Sequence, residues 1–248
     1  MLTKSSIKYI QSLQHKKFRD ELGEFIAEGP KIVNELLEQQ IFECKCIYAV
    51  KEWIAEYSYL LQNRTEIIEE IEFFELEKIA NYSTPNQVIG LFKKKKPIVT
   101  FDWSTSCTVL LEDIQDPGNL GTIIRSADWF GIKNIVCSKN TVDIYNPKVV
   151  QSTMASLGRI NVIYENLKEW LSDKKEIVPV YAAVLDGEPL HEIKTVKASV
   201  LMIGNEGNGL SDELIQMSSV KITIPKIGLA ESLNAAVATA IILYELQK

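Results

Sequence analysis

The sequence predicts an α/β protein of two domains, and three observations predict it. Apolar runs of strand length alternate with stretches of helical period, the pattern of sheets covered by helices. The alternation breaks once, at Lys93-Lys94-Lys95-Lys96-Pro97, where a charge run meets a proline. From Cys107 it restarts with six strand candidates separated mostly by helices, which implies a parallel sheet buried on both faces. A chain of 248 residues has room for two such units. The predicted bounds are a domain over 1–92, a linker over 93–106 and a second domain over 107–248.

Before the break, a helix is expected over 5–14, followed by the basic string His15-Lys16-Lys17-Phe18-Arg19 and a strand over 24–27. Gly29-Pro30 opens a helix with Ile32, Val33, Leu36 and Leu37 on one face. Proline suits that first turn because its missing N–H needs no partner there. A strand over 44–50, a helix over 52–61, a strand over 66–69, a helix over 73–80 and a strand over 88–92 complete the set. The lysine run reads either as a solvated linker or as a contact with an RNA backbone. After the break, strands are expected over 108–111, 134–137, 161–164, 178–184, 200–203 and 220–224.

Composition narrows the function. Apolar residues are 46% and charged residues 24%, an ordinary globular balance. No apolar run approaches the roughly 20 residues of a membrane span, and the first residues lack the apolar core of a secretory signal. Cys44, Cys46, Cys107 and Cys137 are too scattered for a disulfide framework, and the C-x-C pair lacks a second pair or histidines for a metal. A reducing cytoplasm and no metal are expected. The net charge of −6 argues against a nonspecific polyanion binder and by itself favours a small-molecule enzyme, although a basic face can hide within such a total.

Three loops follow strands, where open parallel sheets hold their ligands. In the first, Asp116-Pro117-Gly118 is a turn and Asn119 is placed to cap a helix carrying Leu120, Ile123, Ile124 and Ala127 on one face, with Arg125 beside that stripe. The second, Gly204-Asn205-Glu206-Gly207-Asn208-Gly209-Leu210-Ser211, has three glycines in six residues, and Ser211 is placed to cap a helix. It lacks both phosphate-loop spacings, and Glu206 would repel a phosphate, so a neutral or cationic ligand suits it better. The third, Ile224-Pro225-Lys226-Ile227-Gly228-Leu229-Ala230-Glu231-Ser232-Leu233-Asn234, enters a terminal helix with an apolar stripe of Leu233, Ala236, Val237, Ala240, Ile241 and Tyr244. Taken singly, Arg125 reads as a surface arginine, the glycines as a weak signal, and Ser232 and Asn234 as caps. The two histidines, His15 and His191, lie near no strand-end motif, so acyl transfer and zinc chemistry lack parts.

Together these loops resemble the SpoU (TrmH-type) ribose 2′-O-methyltransferases of the SPOUT superfamily. The segment Asp116 to Arg125 matches the family's asparagine–arginine motif, Gly204 to Ser211 its G-N-E-G-x-G-L-S element, and Ile224 to Asn234 its I-P-x-x-G-x-x-E-S-L-N element. Asn146-Pro147-Lys148-Val149-Val150 is similar to its middle helix start, with Ala155 where glycine is expected. The string from Leu13 to Arg19 with Phe25-Ile26-Ala27-Glu28-Gly29 resembles the substrate-binding domain often attached, which is similar to ribosomal-type RNA-binding modules.

The resemblance implies a catalytic domain with a parallel sheet and a deep trefoil knot, preceded by a small α/β RNA-binding domain. It implies a homodimer, S-adenosyl-L-methionine as cofactor, and RNA as substrate, ribosomal RNA ahead of transfer RNA. Its catalytic positions fall on Arg125, Asn119, Glu206, Ser232 and Asn234. Cofactor positions fall on Ala183, Met202, Ile203, Gly204, Asn205, Gly207, Ile224, Leu233 and Asn234, and RNA contacts on Lys16, Lys17, Arg19 and Lys31. A guanidinium is a poor base at neutral pH, so the expected role of Arg125 is to hold an RNA phosphate and stabilise the developing alkoxide. Two rival readings remain: an inactive RNA-binding protein of the same fold, and a doubly wound enzyme using NAD or ATP.

Overall fold

A computed structural model describes residues 1–62, 67–82, 84–194 and 196–248. In chain order the elements are α1 (Lys4–Ser12), α2 (Lys16–Leu22), β1 (Glu24–Glu28), α3 (Pro30–Gln39), β2 (Cys44–Ala49), α4 (Lys51–Glu56), α5 (Ser58–Leu61), β3 (Ile67–Glu70), α6 (Phe73–Ile79) and β4 (Val88–Lys93). They continue with β5 (Thr108–Leu111), α7 (Pro117–Trp129), β6 (Asn134–Cys137), α8 (Pro147–Thr153), β7 (Asn161–Tyr164), α9 (Leu167–Ser172), β8 (Val180–Pro189), β9 (Val200–Ile203), α10 (Asp212–Gln216), β10 (Val220–Thr223) and α11 (Ala235–Leu246). The chain divides into two compact units, one of Met1–Lys96 with Asp143–Gly158, the other of Pro97–Val142 with Arg159–Lys248.

In the first unit a four-stranded mixed sheet runs β1-β4-β2-β3, with β4 antiparallel to both neighbours and β2 parallel to β3. Ile32, Val33, Leu36 and Leu37 of α3 are all buried, as their spacing predicts. Phe25 stacks on Phe92 at 5.7 Å between centroids and meets Tyr145 at 4.8 Å. Two local features go beyond the sequence reading. The basic string, to which that reading assigns no element, forms most of α2 from Lys16 on, with i,i+4 pairs Lys16–Asp20 and Lys17–Glu21 and a left-handed stop at Gly23 (φ 68°). The helix expected over 52–61 is two helices, because Tyr57 leaves helical geometry. Glu66, the first residue of the expected third strand, lies outside the described residues. Ala155, the departure from the family's glycine, sits at φ 68°, a left-handed conformation that glycine adopts without strain.

The second unit carries a six-stranded, wholly parallel sheet in the order β10-β8-β9-β5-β6-β7. Its strands are the six predicted, and the four residues of β5, β6 and β9 are all buried, as expected for strands covered on both faces. One strand is longer than read. β8 continues to Pro189, pairing Glu188 with Ile222 beyond a register shift in β10. Gly187 makes that approach possible, since a Cβ there would stand 2.6 Å from the Ile222 backbone.

Candidate active site

The site is built at the end of α7, β9 and α11 that the three loops occupy. At the start of α7 the cap is Asp116 rather than the expected Asn119: its Oδ1 accepts the Asn119 N–H at 2.8 Å. Asp116 precedes the proline of the first turn, and proline holds its predecessor in the extended geometry a cap needs. The Asn119 side chain is thereby left for another task. Its Nδ2 donates to Glu206 Oε1 at 2.5 Å, and its Oδ1 accepts from Asn234 Nδ2 at 2.8 Å.

Asn234 caps α11, its Oδ1 accepting the N–H groups of Ala236 (2.9 Å) and Val237 (3.2 Å). The direction of the whole chain follows from that cap. Backbone N–H groups only donate, so Asn234 must face them with its oxygen and donate onward from Nδ2. Asn119 must then receive on Oδ1 and donate to the carboxylate. One residue from each of three distant loops is thus joined by two side-chain hydrogen bonds.

The glycine loop is a closed ring. Asn205 and Gly209 exchange backbone hydrogen bonds of 3.0 and 2.9 Å. Within the ring, Asn205 Oδ1 accepts the N–H groups of Gly207 (2.8 Å) and Asn208 (3.2 Å). The Asn205 Nδ2 reaches the Asp113 carbonyl at 2.8 Å, tying this loop to the one after β5. At Gly204 a Cβ would lie 2.1 Å from the Gly209 carbonyl carbon, so no other residue permits the closure. Ser211 stands at the cap position of α10, but its hydroxyl makes no capping bond; instead its N–H donates to Glu112 Oε2 at 2.7 Å.

The cofactor candidates come from the adjacent strands β10, β8 and β9. Met202 pairs with Ala182, so Ala183 and Gly204 follow neighbouring positions of β8 and β9, whereas Ile224 follows Thr223, which pairs with Pro189 beyond the register shift. Ala183 and Ile224 are half-buried and Leu233 is exposed. Met202 and Ile203 are core residues of β9, buried whole, backbone included, so only the residues that follow them offer a surface there. Residues 204–211 contain no lysine or arginine and one carboxylate, Glu206. That donor set suits a ligand that is neutral or cationic at its centre and disfavours a polyphosphate. Asn119, Glu206 and Asn234 are brought together, whereas Arg125 and Ser232 stand exposed outside that hydrogen-bonded chain.

The terminal helix buries Ala235, Ala236, Thr239, Ile242, Leu243 and Leu246. Of the stripe read from the sequence, Ala236 is buried, whereas Leu233, Val237, Ile241 and Tyr244 are exposed. A helix apolar all round gives no periodicity from which to choose a face.

Of the RNA-contact candidates, Lys16 and Lys17 are exposed on α2. Lys31 is exposed too, but it follows the far end of β1. Arg19 must be corrected. It is 2% exposed, with Nε and Nη2 on Asp143 Oδ2 (3.0 and 2.7 Å) and Nη1 on the carbonyls of Leu13 (2.9 Å) and Gln14 (2.8 Å). With four of its five N–H donors engaged and the side chain buried, this guanidinium is closed to a phosphate. It pins the turn ahead of α2 instead. Sequence reasoning also passed over Asp113 and Glu112, whose only signal was their place at a strand end. Among the described residues, no group of three or more His, Cys, Asp or Glu is placed to hold a metal ion.

The pattern of the SpoU rRNA Methylase family matches residues 106–244, and that of the MRM3-like substrate binding domain matches residues 4–90. The chain is 33% identical to the 23S rRNA (guanosine(2553)-2′-O)-methyltransferase RlmP of Bacillus subtilis, over 97% of this chain and 95% of that protein. Among solved structures, it is similar to an AdoMet-bound rRNA methyltransferase from Sinorhizobium meliloti, with a TM-score of 0.88 and 31% identity over 100% of this chain and 95% of that one. The SpoU methyltransferase AviRb of Streptomyces viridochromogenes shares the fold at a TM-score of 0.86 and 23% identity, over 99% of this chain and 97% of that one. With its sheet, its three loops and both of its domain patterns accounted for, the chain belongs to the SpoU rRNA methylase family.

Proposed function

We propose that this protein transfers a methyl group from S-adenosylmethionine to a ribose 2′-hydroxyl of RNA, ribosomal RNA ahead of transfer RNA. The observation that carries the reading is the hydrogen-bonded chain Asn234–Asn119–Glu206, which joins the three loops beside a glycine ring free of positive charge. Full-length similarity to a 23S rRNA ribose methyltransferase and to an AdoMet-bound rRNA methyltransferase supports it. The same reading assigns residues 1–92 to RNA binding, 93–106 to a linker and 107–248 to catalysis, in a trefoil-knotted fold and a cytoplasmic setting.

The cofactor would rest against the backbone of Gly204 to Gly207, above the buried Met202 and Ile203, with Ala183, Ile224, Leu233 and Asn234 around it, and supply an electrophilic methyl on a sulfonium. The ring of Gly204 to Gly209 is held closed before any ligand arrives, so little ordering remains to oppose binding. Asn119, with both ends of its amide committed, fixes the Glu206 carboxylate in place. Arg125 stands exposed on α7, able to grip an RNA phosphate and to stabilise negative charge as the ribose hydroxyl loses its proton. Ser232 and Asn234 set the geometry of the last loop. A homodimer would complete the site, and the exposed apolar face of Val237, Ile241 and Tyr244 on α11 offers a surface for it.

Transfer of labelled methyl from S-adenosylmethionine to unmodified ribosomal RNA, with 2′-O-methyl mapping, tests the reading. Arg125→Ala is expected to lower turnover by about 10²–10³, the cost of one lost electrostatic stabiliser, with cofactor binding by calorimetry unchanged. Near-normal turnover in that variant would remove Arg125 from the mechanism.

A further inference from the structure

The lysine run Lys93–Lys96 is not a free linker. The Lys93 N–H donates to the Glu43 carbonyl at 2.9 Å and the Lys94 N–H to the Gly23 carbonyl at 2.7 Å. Lys95 is held from both sides by one hydroxyl: its N–H donates to Tyr145 Oη at 3.1 Å, and that hydroxyl donates to the Lys95 carbonyl at 3.2 Å. Three successive residues of a charge run are thus pinned to the first unit. A solvated spacer needs no such anchorage.

The side chains then divide. Lys93 is neutralised by Glu43 at 2.7 Å. Lys94 turns inward, its Nζ 2.5 Å from Asp20 Oδ1 and 5.1 Å from the centre of the Tyr145 ring. Asp20 also holds Lys16 Nζ at 2.5 Å, so a single carboxylate joins the run to α2. Burial pushes the Asp20 carboxyl up, but hydrogen bonds from Lys16 and Lys94 outweigh it and hold it below its usual value. Lys95 and Lys96 remain exposed. Along this edge five lysines (16, 17, 94, 95 and 96) face two carboxylates, Asp20 and Glu21, in a chain whose net charge is −6.

We propose that Lys95 and Lys96, continued by Lys16 and Lys17 of α2, form one edge that takes the phosphate backbone of RNA, in the role the sequence had given to Arg19. The inference rests on the RNA reading above and adds the residues that carry affinity. Because the backbone is already ordered, the lysines lose only side-chain freedom on binding. Arg19 shapes the edge from behind by fixing the turn that leads into α2.

The test is the salt dependence of binding to a 30-nucleotide oligouridylate and to a 23S rRNA transcript. Each phosphate contact contributes about 0.7 to the slope of log affinity against log salt on single strands. Lys95→Ala with Lys96→Ala is expected to lower the slope by about 1.4 and to weaken binding roughly tenfold at 0.1 M salt, while Lys95→Arg with Lys96→Arg keeps both. Lys51→Ala serves as a control, because Lys51 follows the opposite end of the sheet, where Ala49 pairs with Val88. An unchanged slope in the double alanine variant overturns the inference, as does an equal loss in Lys51→Ala. Failure of the wild-type protein to methylate the transcript would count against the methyltransferase reading and leave the slopes to be judged separately.

Discussion

The Arg19–Asp143 pair allows a sharp test, because removing one partner and removing both should differ in an unusual order. Arg19 is 2% exposed and the Asp143 side chain 11%, and two of the guanidinium nitrogens bond one carboxylate oxygen. Asp143→Ala strands a charged guanidinium in the interior with only the Leu13 and Gln14 carbonyls as acceptors. Two charge-assisted hydrogen bonds, at about 1.5–3 kcal/mol each, and an uncompensated buried charge put the cost at roughly 3–5 kcal/mol. Arg19→Met instead leaves Asp143 close to the surface with the Tyr145 N–H still on its Oδ1 at 3.2 Å. Its cost is the two orphaned carbonyls, about 2 kcal/mol in all. The double variant has no stranded charge and should be more stable than Asp143→Ala alone. Urea unfolding followed by circular dichroism reads all three, and Asp143→Ala should also lower the melting temperature by roughly 6–20 °C. A loss below about 1 kcal/mol in Asp143→Ala, or a double variant less stable than that single one, would refute this account of Arg19.

Two further outcomes follow from the geometry. Asn234→Ala removes the cap of α11 and the donor to Asn119 together, so a stability loss of about 1–2 kcal/mol should accompany reduced methyl transfer. Asn234→Asp, which keeps the capping oxygen but not the donor, should restore stability without restoring activity; equal recovery of both would contradict the relay. Burial pushes the Cys107 thiol up to about 11 and raises those of Cys46 and Cys137. At pH 8 the folded protein should therefore give no fast reaction with a thiol reagent, and four equivalents once denatured. Above about pH 9 the unfolded thiols ionise while the folded ones stay protonated, so the unfolded state binds fewer protons and stability falls as pH rises. A rapidly reacting thiol in the native state would show that a cysteine is exposed.

The second unit was the more legible half. Its central strands β5, β6 and β9 are short, mostly apolar and wholly buried, and a strand buried on both faces has little freedom to be anything else. The three candidate loops were legible for a related reason: glycine, proline and asparagine at fixed offsets constrain a backbone locally, and chemistry at strand ends needs such loops. The apolar period of α3 likewise stated its buried face in advance. Where local signals were weak or ambiguous, the reading stayed open. The basic string carried no element assignment and is a helix, and the stripe of α11, open between core and a dimer contact, is largely exposed.

What the sequence alone determined, then, was the α/β alternation, the loops and the residue types at the site. Pairings between distant residues were decided only in three dimensions. The strand order β10-β8-β9-β5-β6-β7, the Asn234–Asn119–Glu206 chain and the burial of Arg19 on Asp143 each join positions up to 124 apart along the chain. Local propensity and periodicity act over one or two turns, and a side chain's charge or amide says only that it needs a partner. Which partner it finds depends on how the sheets bring strand ends together. The same arginine can therefore grip a phosphate or lock a turn, and only its surroundings distinguish the two.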